Sequence, residues 1–453
     1  MDCDIAILGA GVAGLAAGRI LAQSGRRVVV IEARQRIGGR IFTTHVCDGA
    51  GARDIPVELG AEFVHGLPPE TWSLLREADL ATYEIDGVDL CSSGGPQQFH
   101  QPGEGGISVL EHMLAWEATL SPGRDMSFAE YLGSIAIDQS ARARAVEYVE
   151  GFNAADSAVI GVKALAMQQR AEDEIESERL FHLRHGYDAL PRFLAQQIER
   201  AGGTIVLGTI GQRISWRRSA VSISGVHAHG KPFSLTAERA LICVPLGVLQ
   251  AGGIEFAPAP GTILTHARRL AMGSVLRMTL VFRSRFWAGL DLPHAPAEVR
   301  AGLERLSFLF TRGALPSTWW TPMPDTAAMI TGWVGGPRVA LIDSTPGTDA
   351  KAGALLERCL ATLADTFGVP TASLRQQLLS WHCHDWQADP YAQGAYSYAP
   401  AGAIDASVKM TQPVEDTLYF AGEHTDTTGH WGTVHAAVRS GLRAAAQLQG
   451  SAG

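Results

Sequence analysis

Asp4-Ile-Ala-Ile-Leu8 is a short apolar run of the kind a parallel sheet buries on both faces, and it leads directly into Gly9-Ala-Gly11-Val-Ala-Gly14. Leu15 to Ala22 then carries the small and apolar residues of a packed helix that stops at Gly25. Arg27-Val-Val-Val-Ile31 reads as a second strand, and Glu32 ends it 18 residues beyond Gly14. Strand, glycines, helix, strand and acid in this order form a dinucleotide fingerprint. Gly9 permits the tight turn, Gly11 lets the backbone reach a pyrophosphate, and Gly14 lets the helix pack on the strand. The helix N-terminus at Val12 and Ala13 offers free N–H groups and a positive dipole end, and Glu32 is placed to accept ribose hydroxyls. An acid at this position disfavours a 2′-phosphate, which leaves FAD or NAD.

The rest of the chain bounds what such a site can belong to. Its 453 residues suggest about three domains, or two large ones. Hydrophobic content of 46% with 18% charged residues excludes a disordered or fibrous chain. A net charge of −9 argues against nucleic acid as the main partner, because phosphate binding needs a basic face. The basic residues are 33 Arg and only 4 Lys, an imbalance that codon bias in GC-rich genes produces. Six scattered cysteines with no CxxC pair indicate neither a disulfide framework nor a zinc ribbon, and they suit a reducing, cytoplasmic setting. Ile5 to Ile20 is apolar but lacks a basic flank and is broken by four glycines, so no membrane segment is expected. Trp381-His-Cys-His384 sends its donors to alternating sides of a strand, and no metal site is expected there or elsewhere.

Glu32-Ala33-Arg34-Gln-Arg-Ile-Gly-Gly39-Arg40 continues the fingerprint with a second glycine pair and an arginine that can approach a pyrophosphate from its other side. Together with Glu58-Leu-Gly-Ala-Glu-Phe-Val-His-Gly66, Tyr419-Phe-Ala-Gly-Glu-His-Thr425 and Gly432-Thr-Val-His-Ala-Ala-Val-Arg-Ser-Gly441, it resembles the flavin-containing amine oxidase family. That family includes monoamine oxidases, polyamine oxidases and lysine-specific histone demethylases, and the motif detail is closest to polyamine oxidases. The resemblance implies a two-domain α/β fold, a Rossmann-like FAD-binding domain with a sheet-and-helix substrate domain. The first would take 1–66, 203–253 and 385–453, and the second 67–202 and 254–384. Gly203 to Leu207, Ser219 to Ser224 and Arg239 to Pro245 read independently as strands of the first. Gln139 to Tyr148 and Leu190 to Ala201 read as helices, and Met278 to Phe282 and Ala328 to Val334 as strands, of the remainder.

The resemblance implies FAD held by Gly9, Gly11, Val12, Ala13, Gly14, Glu32, Ala33, Arg34, Gly39, Arg40, Gly60, Ala61, Glu62, Gly211, Gly422, Glu423, Thr433 and Val434. Tyr396, in the segment Gly394-Ala-Tyr-Ser-Tyr398, would form one wall of an aromatic sandwich around the amine. Ala395 stands where covalently flavinylated monoamine oxidases carry cysteine, so the FAD is expected to be non-covalent. Thr433 stands at the opposite wall, where polyamine oxidases and histone demethylases also have a small residue. His65 occupies the place of an active-site histidine and could bind substrate or tune its protonation near neutrality; its alternative is a histidine that holds the loop. Glu62 would offer a carboxylate to a cationic amine, or else be a solvent-facing acid. Arg277 takes the register of the lysine that holds a water at the flavin, a change that puts fast oxidase activity in doubt. Glu172-Asp-Glu-Ile-Glu-Ser-Glu178 is either a solvated helix face or a device that draws polycations to an entrance. His182 and His185 would frame the turn before a helix.

The implied activity is oxidation of a small-molecule amine by hydride transfer to FAD, with dioxygen reduced to hydrogen peroxide. The alternatives are an amino-acid oxidase in which Arg277 or another arginine binds the carboxylate, an amine dehydrogenase slow with dioxygen, and a flavin-binding partner protein without catalysis. Oligomeric state is not readable.

Overall fold

The computed structural model describes residues 1–47, 54–95, 99–100, 107–118, 124–290, 297–342 and 348–450. Strand β1 (Cys3–Leu8), helix α1 (Val12–Gln23) and strand β2 (Val28–Ile31) form where the fingerprint placed them. β1 runs parallel to β2 on one side and to Pro232–Ile242 on the other. Thr204–Val206 extends the sheet beyond β2, and Ala220–His227, Thr209–Arg217 and Glu255–Ala257 extend it the other way.

Pro232–Ile242 is longer than its sequence signal, and besides β1 it serves two further neighbours. Its first half pairs antiparallel with Ala220–His227, and Ala240 to Ile242 pair parallel with Leu418–Phe420. Chain from near both ends is thereby hydrogen-bonded into one eight-stranded sheet. Both faces are buried, as the apolar runs require. Ile5, Ile7, Val28, Val30 and Leu241 pack on α1, Ala189–Arg200 and Val434–Gly450. Ala6, Leu8, Ile31, Ile242 and Phe420 pack on the other side. Small residues set how closely the helices approach: a Cβ on Gly441 would lie 2.2 Å from the Ala13 carbonyl oxygen.

A second, seven-stranded sheet runs in the order Leu378–His382, Val275–Phe282, Met329–Gly335, Thr318–Trp320, Leu306–Thr311, Val88–Ser92 and Phe99–His100. Val275–Phe282 is buried at every position. Leu276, Met278, Leu280 and Phe282 pack against Leu355, Cys359, Leu363 and Phe367 of the helix Thr348–Phe367. Both stretches of chain assigned to the second domain contribute to this part. Val88–Ser92 joins the sheet from the first stretch, and the 20-residue helix belongs to the second.

Candidate active site

One cavity of about 1200 Å³ lies between the two sheets. It exceeds the roughly 300–1,000 Å³ of a site for one drug-sized ligand, so it has room for an extended dinucleotide and a second molecule. One end is the fingerprint. Gly9 has φ +104°, and a Cβ there would lie 2.9 Å from the Cys243 carbonyl oxygen. A Cβ on Gly14 would lie 2.1 Å from the Gly9 carbonyl oxygen, which is the close helix-to-strand contact its place demands. Gly11 differs, since a Cβ there would meet nothing within 4 Å. It faces the cavity at the start of α1, whose first turn has no side-chain cap. First-turn N–H groups lack intrahelical partners, so an anion is the group this terminus lacks. Glu32 closes this end, buried, with its two carboxylate oxygens taking the Ala10 and Arg34 N–H groups at 2.8 Å each. A Cβ on Gly39 would lie 3.3 Å from the Gly11 Cα, so the second glycine pair closes on the first and completes the cradle, and Ala33, Ala61, Gly211, Gly422 and Val434 line the same cavity.

The arginines assigned to the cofactor reach the cavity already neutralised. Arg34 donates to Asp389 at 2.6 Å and packs on the Tyr391 ring. Burial raises the Asp389 carboxyl, but His384 and Arg34 outweigh it and hold that group well below the usual carboxylate range. Arg40 donates to Glu423 at 2.9 Å and to the Ala395 carbonyl at 2.7 Å. Glu423 also accepts from the Ser397 hydroxyl at 2.6 Å and the Gly432 N–H at 3.0 Å. Despite burial, the Arg40 charge and the Ser397 hydroxyl keep Glu423 below its ordinary range. Its carboxylate therefore braces Arg40 against the Tyr396 loop.

At the other end the walls are aromatic. The Tyr396 hydroxyl donates to the Phe152 carbonyl at 2.7 Å, which presents a fixed ring. A Cβ on Gly432 would lie 2.8 Å from that ring, so only glycine lets the two segments close up. Facing residues include Phe63, 5.5 Å from Trp320 between ring centroids, and Trp333, 5.8 Å from Trp320. Sequence reasoning missed all three. The Trp319-Trp320 pair held a usable signal, because strand alternation buries Trp319 in the core and turns Trp320 to the cavity.

Several expectations change here. Arg277 lines the cavity, but its Nη2 donates to Glu62 at 2.6 Å and its Nη1 to the Gly60 carbonyl at 2.8 Å. Glu62 is accordingly neither a solvent-facing acid nor a carboxylate free for an amine, since it neutralises Arg277. Thr433 lines the cavity, yet its hydroxyl accepts the Ala436 N–H at 3.1 Å and donates to the His430 carbonyl at 2.7 Å. It caps the helix Val434–Gly450. His65 lines the cavity without a hydrogen-bond partner among the described residues, and burial lowers its pKa to about 4. It is a neutral imidazole, not a group poised near neutrality. His182 does not frame a turn: it is buried in Leu180–Leu183, 3.8 Å from Glu62 and stacked on Tyr83. The acidic run divides. Glu172 lines the cavity and burial raises its carboxyl to about 7, whereas Glu174 and Glu176 are exposed. The strand at Trp381 ends at His382, and His384 turns to Asp389 at 2.9 Å.

Residues 12–449 match the profile described as flavin containing amine oxidoreductase. The chain belongs to that family. FAD is its cofactor, and the open Gly11 cradle with Glu32 beyond it fits the dinucleotide. A lysine-specific histone demethylase 1 homolog 2 of Arabidopsis thaliana is 27% identical over 470 residues, covering 98% of this chain and 58% of the relative. A probable polyamine oxidase 4 of the same plant is 26% identical over 474 residues, covering 98% and 87%. The chain thus spans little more than half the length of the demethylase relatives. Structures of putrescine oxidase bound to putrescine and of cyclohexylamine oxidase from Brevibacterium oxydans IH-35A share the fold, with TM-scores of 0.79 and 0.78. Their identities are 19% and 21%, and each match covers 99% of both chains. Among the described residues, no helix is long and apolar enough to cross a membrane.

Proposed function

We propose that this flavin-dependent protein oxidises an amine of polyamine or secondary-amine type to an imine, which water splits into an aldehyde and a smaller amine. When bound, FAD accepts the hydride and passes its electrons to dioxygen, giving hydrogen peroxide. The observation that carries this reading is the single cavity that joins the Gly11 and Glu32 cradle to the Tyr396, Phe63 and Trp320 walls. Oxidation needs a neutral amine with its Cα–H aimed at the acceptor and water kept out. Tyr396, fixed through Phe152, orients the amine, and the facing aromatics exclude water. His65, neutral in this setting, can hydrogen-bond the amine without competing with it for charge. The reading also includes the two-domain division, with its boundaries moved so that Ala189–Arg200 and Glu255–Ala257 join the FAD-binding part, non-covalent FAD beside Ala395, and a cytoplasmic setting that suits the free cysteines.

The amino-acid oxidase alternative loses Arg277 as its anchor, because that guanidinium is held by Glu62. The test is anaerobic mixing of the FAD-loaded protein with diamines, polyamines, N-methylated lysine peptides and free amino acids, followed by oxygen. Bleaching of the flavin by amines and release of peroxide support the function. Bleaching by amino acids alone overturns it, and slow reoxidation identifies a dehydrogenase.

A further inference from the structure

The Arg277–Glu62 pair is an ionic contact at the aromatic end of the cavity. Both side chains are almost wholly buried, at 3% and 5% exposure. Each has few other options. Arg277 lies 5.5 Å from the Trp320 ring, and its remaining contacts are the Gly60 carbonyl and a long one to Thr279. The other Glu62 oxygen faces His182, whose imidazole burial keeps in the neutral form. The backbone beneath Glu62 cannot drift, because the Ala61 N–H binds the Arg40 carbonyl and a Cβ on Gly60 would lie 1.9 Å from that oxygen. A guanidinium in an aromatic recess would otherwise be a strong receptor for a carboxylate, which it binds through paired charge-assisted hydrogen bonds.

We propose that Glu62 is a specificity-determining residue. Its carboxylate occupies Arg277 and so closes the aromatic end of the cavity to carboxylate-bearing amines, restricting the site to amines without an acid group near the reacting carbon. This deepens the proposed function and rests on it. Selectivity here comes from an internal competitor, a carboxylate already in place, and not from a clash.

The test uses the FAD-loaded protein and benzoate as the probe, read as a perturbation of the flavin's visible absorption. Glu62→Gln keeps the size of the side chain and removes its charge. It should bind benzoate at least about tenfold more tightly than the wild type, the scale of one charge-assisted contact. Adding Arg277→Gln should abolish the gain. Equal benzoate affinity in wild type and Glu62→Gln overturns the proposal, as does a gain that survives Arg277→Gln. Should Glu62→Gln not fold, Glu62→Ala refolded with formate decides. Thermal stability that rises with formate, and not with chloride at equal ionic strength, shows that Arg277 accepts an exogenous carboxylate. No formate dependence overturns the proposal. The function itself fails on a separate measurement, bleaching of the wild type by amines, so the two failures are distinguishable.

Discussion

Arg34 and Arg40 share one early loop and Arg277 stands in a middle strand, and each meets a carboxylate far away in sequence, at Asp389, Glu423 and Glu62. Buried charge is tolerable only when paired, so these contacts tie the early part of the chain to its middle and late parts. Arg40→Gln leaves Glu423 without its cation. The expected cost is on the order of 3 kcal/mol, the low end for a buried pair, because Arg40 keeps 22% of its side chain exposed. Chemical denaturation of the apoprotein checks it, and adding Glu423→Gln should recover much of the loss. His65 carries a pH prediction. Its folded pKa of about 4 lies below the ordinary 6.5, so under acid the unfolded chain takes up a proton that the folded chain refuses. Stability contributed by the neutral imidazole is present above about 6.5 and is lost as pH falls from there towards 4. His65→Gln should flatten the fall in unfolding free energy between pH 7.5 and 5. A fall of unchanged size would assign the effect to the other histidines that burial lowers, among them His182, His424, His430 and His435.

Among the elements, β1, α1 and β2 were legible because their signals are local: apolar runs, glycines at fixed offsets and a terminal acid. The Glu62–Arg277 pair was not legible, since its partners stand 215 residues apart and only the sheet brings them together. Thr433 was legible as a small residue near the cavity, but its role as a helix cap depends on where Val434–Gly450 begins. Thr433→Ala should cost about 1 kcal/mol, the usual value of an N-cap, in a denaturant midpoint shift. Two glycines of one motif are expected to fail differently. A Cβ at Gly14 collides with backbone, at 2.1 Å, so Gly14→Ala should yield little folded protein. Gly11→Ala adds its methyl to open space, so the apoprotein should melt at or slightly above the wild-type temperature while FAD affinity falls by tenfold or more. Thermal melts with and without FAD separate the two outcomes.

At the scale of the molecule, the cavity lies between two sheets that have separate hydrophobic cores. Residues from near both ends of the chain line it, so a dinucleotide laid along it adds its own contacts to segments already joined by the packing of α1 on Val434–Gly450, by strand pairing and by ion pairs. FAD should therefore act as a stabilising ligand as well as a reagent. A ligand that binds only the folded state adds RT ln(1 + [L]/Kd), about 2.7 kcal/mol at a hundredfold excess over Kd and about 4.1 kcal/mol at a thousandfold excess. Because Ala395 offers no thiol to the ring, the FAD should come off under mild denaturant or acid and rebind on return to neutral pH. The melting temperature of the stripped protein should climb with the logarithm of added FAD, with no plateau at one equivalent. FMN, which lacks the adenosine monophosphate half that the Gly11 and Glu32 cradle is shaped to take, should give much less of that rise. A melting temperature indifferent to FAD concentration, or flavin that stays with the denatured chain, would mean that the cofactor is held by a bond and not by the cradle.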